Sequence, residues 1–154
     1  MKNLVFSLLI VFAAAPTHAQ DLLFYPDPVL DCMDDAPETA MRYICIGTAA
    51  NYCMVNTPGG SSTPVIGACL DHERAFWDAR LNDVYARLLT QHTETPAVLD
   101  NLRTMQRAWI TYRDARCDYE FVQWNGGTGG GPALLACLMR TTAEQTLLLE
   151  EQLR

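Results

Sequence analysis

The stretch AWITYRDARCDYE, residues Ala108 to Glu120, decides how this chain is read. It holds a tryptophan, two tyrosines, two arginines, two aspartates and a cysteine in thirteen residues. Such crowding suits an active site, and equally a helix that grips its neighbours. On a helix, Trp109, Tyr112 and Arg116 stand one turn apart, Arg113 is four residues from Trp109, and Cys117 is four from Arg113. That spacing lines a single contact face. Arg113 or Arg116 is then expected to stack on a ring or to fork onto a carboxylate, with Asp78 the natural partner. General acid–base work needs two carboxylates in distinct environments. Asp78 and Asp114 facing each other across two helices would instead be satisfied by Arg113 and Arg80. The segment therefore reads as a structural clasp, with Trp109 and Tyr112 packed on the preceding long helix.

Working outward, the same period continues. The clasp helix is expected from Thr95, a plausible N-cap, through Pro96 at its first position to about Asp118. Before it, Leu70, Trp77, Leu81, Val84 or Tyr85, and Leu88 recur at helical spacing between about Val65 and Thr90. NTPGGSSTP, residues 56–64, breaks the chain ahead of that helix. Upstream, Pro37 with Asp34 or Asp35 near the cap predicts a helix to about Cys53. Residues 20–37 read as an Asp/Pro-rich leader without periodicity. Downstream, NGGTGGGP, residues 125–132, is the strongest breaker, and a last helix is expected from Ala133 through Leu134, Leu138 and Leu147–Leu149. Nothing alternates at period two. The pattern predicts an all-α fold, a small antiparallel helical bundle with short loops, over one domain at residues 38–154.

The first nineteen residues carry one lysine, an apolar run from Leu4 to Ala15 and the small-residue end Thr17-His18-Ala19. This predicts a signal peptide cleaved before Gln20, and so a periplasmic or secreted protein with no stable membrane insertion of the mature chain. Removing it leaves ten arginines against eighteen acids, a formal charge of −8. That balance argues against nucleic-acid binding and favours a basic protein partner. All six cysteines, Cys32, Cys45, Cys53, Cys69, Cys117 and Cys137, lie in the mature chain, an even count that reads as three disulfides. Fifteen pairings exist; the nearest-neighbour scheme Cys32–Cys45, Cys53–Cys69, Cys117–Cys137 would staple the leader and bridge both Gly-rich loops.

No catalytic residue, metal site or cofactor is expected. Asp71-His72-Glu73 groups ligand types, but consecutive helical residues point in different directions. GGTGGG lacks the lysine and the preceding strand of a phosphate loop. Ser61 and Ser62 have no identifiable base. Tyr119, Phe121 and Trp124 lead into the glycine run at Gly126 and Gly127. Exposed, they are aromatics of the kind that anchor interfaces, and this edge is the candidate partner-contacting site.

CLDHERAFWDARLNDVYARL (Cys69–Leu88) followed by LRTMQRAWITYRDARC (Leu102–Cys117) resembles the lysozyme-inhibitor LprI-like N-terminal domain family. The carrying residues are Cys69, Glu73, Asp78, Leu81, Asn82 and Tyr85, then Gln106, Arg107, Trp109, Arg113, Asp114 and Cys117, then Gly126, Gly127 and Cys137; Trp77 and Tyr112 stand among them as structural residues. The resemblance is strongest over residues 65–154. It implies an exported, disulfide-stabilised helical domain, in which these motif residues look mostly like fold determinants. At least one branch of the family is associated with lysozyme inhibition, which implies a non-catalytic binder of a basic lysozyme-type hydrolase. The alternative is an accessory cell-envelope protein that binds another secreted protein or peptidoglycan. The segment CIGTAANYCMVNTPGG before Cys69, with Cys45 and Cys53, departs from the simplest family pattern.

Overall fold

The computed structural model describes residues 21–153; the expected signal peptide, residues 1–19, lies outside them. Six α-helices follow in order: α1 (Asp27–Asp35), α2 (Thr39–Arg42), α3 (Thr48–Asn56), α4 (Thr63–Gln91), α5 (Pro96–Val122) and α6 (Gly130–Glu150), with a 3₁₀ turn at Tyr43–Cys45 between α2 and α3. The three long helices arise where the hydrophobic period placed them. Each extends further than expected at one or both ends: α5 runs four residues past Asp118, and α6 starts within the glycine run rather than at Ala133. Pro96 and Pro64 stand in the first turns of α5 and α4, where a missing N–H breaks no helical bond.

Two expectations fail near the N-terminus. The leader is not without structure: Val29 and Met33, four residues apart on α1, are buried. The single helix expected from Pro37 to Cys53 is instead α2, the 3₁₀ turn and α3. The break lies at Gly47, whose φ of 96° is a left-handed conformation that side chains resist. That turn lets α3 double back onto α4.

The bundle is built around α6, not around the α4–α5 hairpin. α6 buries residues on every side, among them Met139, Thr142, Ala143, Gln145, Thr146 and Leu147. It packs most extensively on α4 and next on α5, whereas α4 and α5 meet mainly through the side chains of Leu102 and Trp109 against Leu81, Val84 and Leu88. Small residues at Ala143, Thr142 and Thr146 let it lie close to α4, and the Thr146 hydroxyl donates to the Trp77 carbonyl at 3.3 Å. The pairs Trp77–Thr146 and Arg80–Glu150 run in step, so α4 and α6 are parallel. Gln106–Gln145 and Cys117–Cys137 run in opposition, so α5 and α6 are antiparallel, as helices joined by a short loop must be. One core joins Val29, Met33, Leu70, Trp77, Met139 and Leu147; a second holds Leu81, Val84, Leu88 and Leu149, with Trp109 packed against it. Each such side chain, fully buried, stabilises the fold by about 1.5–3 kcal/mol.

The structure joins the cysteines in nearest-neighbour pairs, Cys32–Cys45, Cys53–Cys69 and Cys117–Cys137. The first fastens α1 to the 3₁₀ turn, the second joins α3 to α4, and the third ties α5 to α6 across the glycine loop.

Between α3 and α4 lies a buried carboxylate. Glu73 is wholly inaccessible. Its Oε1 accepts from the Gly47 N–H at 2.6 Å and from the Trp77 indole N–H at 3.0 Å, and its Oε2 accepts from the Ala50 N–H at 2.6 Å. The two backbone donors are orphan groups at the N-terminus of α3, where the helix dipole also favours an anion. Replacing Glu73 by Ala leaves three buried donors unpaired, at a cost on the order of 1–3 kcal/mol each. Urea unfolding should show a loss of several kcal/mol, with α3 the first region to lose hydrogen-exchange protection.

Candidate functional site

The C-terminal end of α5 and the glycine loop form the candidate partner edge. The chain turns at Asn125 (φ 47°) and Gly126 (φ 81°), and the Gly127 N–H closes the turn onto the Trp124 carbonyl at 2.8 Å. Trp124, 52% exposed, lays its ring over Gly129: a Cβ built there would stand 2.1 Å from a ring carbon. Phe121 covers Gly130 in the same way, at 3.1 Å. The glycines therefore give two aromatic rings a floor. Tyr119 is exposed as well, but positions two apart on a helix do not share a face, so Tyr119 and Phe121 leave different flanks of α5. The expected edge is exposed, and it is two separate patches.

The expected clasp is corrected in three places. Arg113 does not reach Asp78. It stacks on the Trp109 ring, 5.0 Å from the centroid, and pairs with its neighbour Asp114 at 2.7 Å. Asp78 accepts from Asn82, 3.2 Å away on its own helix. Tyr112 does not pack on the preceding helix; it is exposed. The common reason is that α6, rather than α4, is the partner of α5. Trp109 is half-buried where Leu81, Val84 and Leu88 of α4 meet Leu149 of α6, and Tyr85 lies half-buried against the same cluster. Gln106 has a role that its spacing did not disclose: its side-chain carbonyl accepts from the buried Gln145 at 3.1 Å. Arg80 pairs with Glu150, not with a helix-crossing aspartate.

The Asp71-His72-Glu73 triplet diverges. Asp71 holds Arg74 at 2.6 Å, His72 stacks on Phe24 at 5.2 Å, and Glu73 turns inward. Among the described residues, no group of three or more His, Cys, Asp or Glu side chains is placed to hold a metal ion. The sequence placed Glu73 in the Asp71-His72-Glu73 triplet and in the family motif without disclosing its burial; the signal was Trp77 four residues on, which supplies one of its donors.

Two hollows lie along the α5–α6 seam. One, of about 600 Å³, has Leu88, Leu102 and Leu149 beneath and Val98, Met105 and Leu148 at its margin. A smaller one, of about 260 Å³, shares Leu148 and brings Tyr43 and Tyr112 beside Arg116 and Glu144, an ion pair at 3.8 Å. Desolvation raises the Tyr43 pKa above the ordinary phenol value, and the negative charges of Glu151 and Glu144 raise it further. The acids on α1 are disposed differently. Asp27, Asp31, Asp34 and Asp35 are exposed and form no ion pair among the described residues.

A family model described as lysozyme inhibitor LprI matches residues 53–149. The chain belongs to this family. Two of the three disulfides, Glu73 and the whole of α4 and α5 fall within the LprI match; α1, α2 and the Cys32–Cys45 bond precede it. An uncharacterized 17.7 kDa protein of the puhA 5′ region of Rhodobacter capsulatus is 26% identical over 132 residues, 78% of this chain and 81% of its own length. An uncharacterized protein of Rhizobium meliloti (strain 1021) is 28% identical over 97 residues, 56% of this chain and 70% of its own. No solved structure matches the chain significantly.

Two outcomes follow for the site. Gly129→Ala should displace the Trp124 ring and shift its fluorescence, while the melting temperature changes little because the atoms that must give way belong to one half-exposed side chain. For Tyr43, the neutral phenol is the form that the fold favours. Its contribution is therefore fully present below the ordinary tyrosine pKa and is lost as pH rises through the raised value. Ultraviolet titration should show late ionisation of Tyr43, and Glu151→Gln should bring it earlier.

Proposed function

We propose that the protein is an exported, non-catalytic binder that occludes a basic lysozyme-type hydrolase. The observation that carries this reading is membership in a family described as lysozyme inhibitor LprI, over most of the helical bundle. The mature charge of −8 supports it, since a basic enzyme is drawn to an acidic surface and opposite charges speed encounter. Four of the acids, Asp27, Asp31, Asp34 and Asp35, stand exposed along α1. Among the described residues, no helix is long and apolar enough to cross a membrane. Phe121 and Trp124, held over the glycine loop, are the contacts that we assign to the enzyme. Large, half-exposed aromatics are what interface hot spots are made of.

The oxidised mature protein should slow cell-wall lysis by at least one lysozyme type at low salt and bind it less well as salt rises. Trp124→Ala should weaken that binding by about ten-fold or more with an unchanged melting temperature. Absence of both inhibition and binding across several lysozyme types would sink the reading and favour an accessory envelope role, for which pull-down of one other envelope component is the positive sign.

A further inference from the structure

The two hollows on the α5–α6 seam meet at Leu148, which lines both. Their chemistry is opposite. The larger, of about 600 Å³, rests on Leu102 and on the buried Leu88 and Leu149. Its size falls within the range of about 300–1,000 Å³ typical of small-molecule sites. Met105 at its margin is flexible and adapts to irregular apolar shapes. Among the described residues no arginine, lysine or carboxylate lines it, and no phenyl, phenol or indole ring offers a sugar a face to stack on. The smaller hollow, of about 260 Å³, is polar: it gathers Tyr43, Tyr112, Arg116 and Glu144 beside the buried Gln145. Arg116 and Glu144 stand 3.8 Å apart and their side chains are 36 and 38% exposed, a loose pair with donors and lone pairs to spare. Neither tyrosine hydroxyl bonds another group among the described residues. Burial first, and then the charges of Glu151 and Glu144, keep the Tyr43 phenol protonated, so it remains a donor.

We infer that the two hollows form one site for a single-chain amphiphile with a zwitterionic head. The aliphatic chain lies on Leu88, Leu102 and Leu149; the head lies across Arg116 and Glu144, its anionic end on the guanidinium and its cationic end on the carboxylate. Charge complementarity selects the head. A singly charged head would be drawn to one member of the pair and repelled by the other, whereas a zwitterion meets both with the opposite sign. The rings of Tyr43 and Tyr112 add faces for the cationic end, and their hydroxyls add donors for the anionic end. Trp109 lines the same hollow, but its ring already carries Arg113. Volume and lining select the chain. An apolar cavity of about 150 Å³ lined by aliphatic and phenyl side chains takes up benzene, and the larger hollow has about four times that volume. Length fits as well. Val98 to Arg116 is eighteen residues, about 27 Å of helix. One acyl chain reaches about 15 Å, half of a bilayer's hydrocarbon core, so chain and head fit end to end along the seam. The apolar and polar parts lie one after the other in a cleft between two helices, which suits one dissolved molecule rather than the plane of a bilayer. The site uses neither Phe121 nor Trp124 and does not rest on the lysozyme reading.

Four detergents with the same dodecyl chain test it, each titrated below its micelle concentration into the oxidised mature chain and followed by calorimetry and methyl NMR. Dodecylphosphocholine should bind one molecule per chain and shift the methyl signals of Leu102, Met105 and Leu148. Dodecyl sulfate, dodecyltrimethylammonium and dodecyl maltoside should each bind at least about ten-fold less tightly. Leu148→Glu, at a position 46% exposed, should weaken all four with an unchanged melting temperature. Glu144→Gln should erase the preference for dodecylphosphocholine over dodecyl sulfate; a purely structural role for the loose pair would not change the order of the heads. Equal binding of all four, or tightest binding of the maltoside, overturns the head assignment. Binding indifferent to Leu148→Glu, or no saturable binding of dodecylphosphocholine, overturns the site. Flotation of the protein with phosphatidylcholine vesicles, without binding of the monomeric detergent, overturns it in favour of a membrane surface.

Discussion

A carboxylate sealed from water must find donors, and Glu73 finds three. Two of them, the N–H groups of Gly47 and Ala50, cap a helix that could not stand alone: α3 is nine residues long, well under the length at which isolated helices persist in water. The third, the Trp77 indole, belongs to the largest fully buried side chain in the protein. One side chain therefore settles where α3 begins, how it lies on α4, and how the central tryptophan is turned. The left-handed Gly47 is the complementary requirement, since the chain must reverse there for its N–H to point at Glu73. The disulfides Cys32–Cys45 and Cys53–Cys69 close on either side of this contact and keep the short N-terminal helices within reach of it.

Once α3 and Trp77 are fixed on α4, the other face of α4 is left for α6. α6 meets it with threonines and alanine rather than with bulky side chains, and so approaches closely enough for Thr146 to bond the Trp77 carbonyl. That close approach explains the exposed character of α5. With α6 in the middle, α5 has one main neighbour, to which Cys117–Cys137, Gln106–Gln145 and Arg116–Glu144 hold it, while Trp109 reaches Leu81, Val84 and Leu88 of α4. Met105 and Tyr112 stand half-covered at the margin of that contact, and Tyr119 is exposed.

The long helices were legible because their periodicity is strong: the stripe Leu70, Trp77, Leu81, Val84, Leu88 is the buried stripe of α4. The N-terminal third was less legible. Val29 and Met33 are only two apolar residues among aspartates and prolines, a signal too short to separate a helix from a loop, and the break at Gly47 has meaning only once Glu73 is opposite it. In the candidate site, the glycine run marked the edge, but whether Phe121 and Trp124 are exposed there or close the end of the bundle was decided only by the fold. The Arg113–Asp78 pair did not form, because that expectation assumed that helices adjacent in sequence are adjacent in space.

By itself, the sequence determined an all-helical chain, its three long helices and its membership in the LprI family. Those are written in local period, in turn residues and in motifs that need no knowledge of neighbours. The tertiary structure alone decided which helix is central, and with it which residues are buried. The helix α5 shows this most plainly. Leu102, Gln106, Trp109, Arg113 and Cys117 are spaced identically whether they face a core or water. Only the placement of α6 decides that this side is the covered one, because Cys117–Cys137 and Gln106–Gln145 hold the two helices together there.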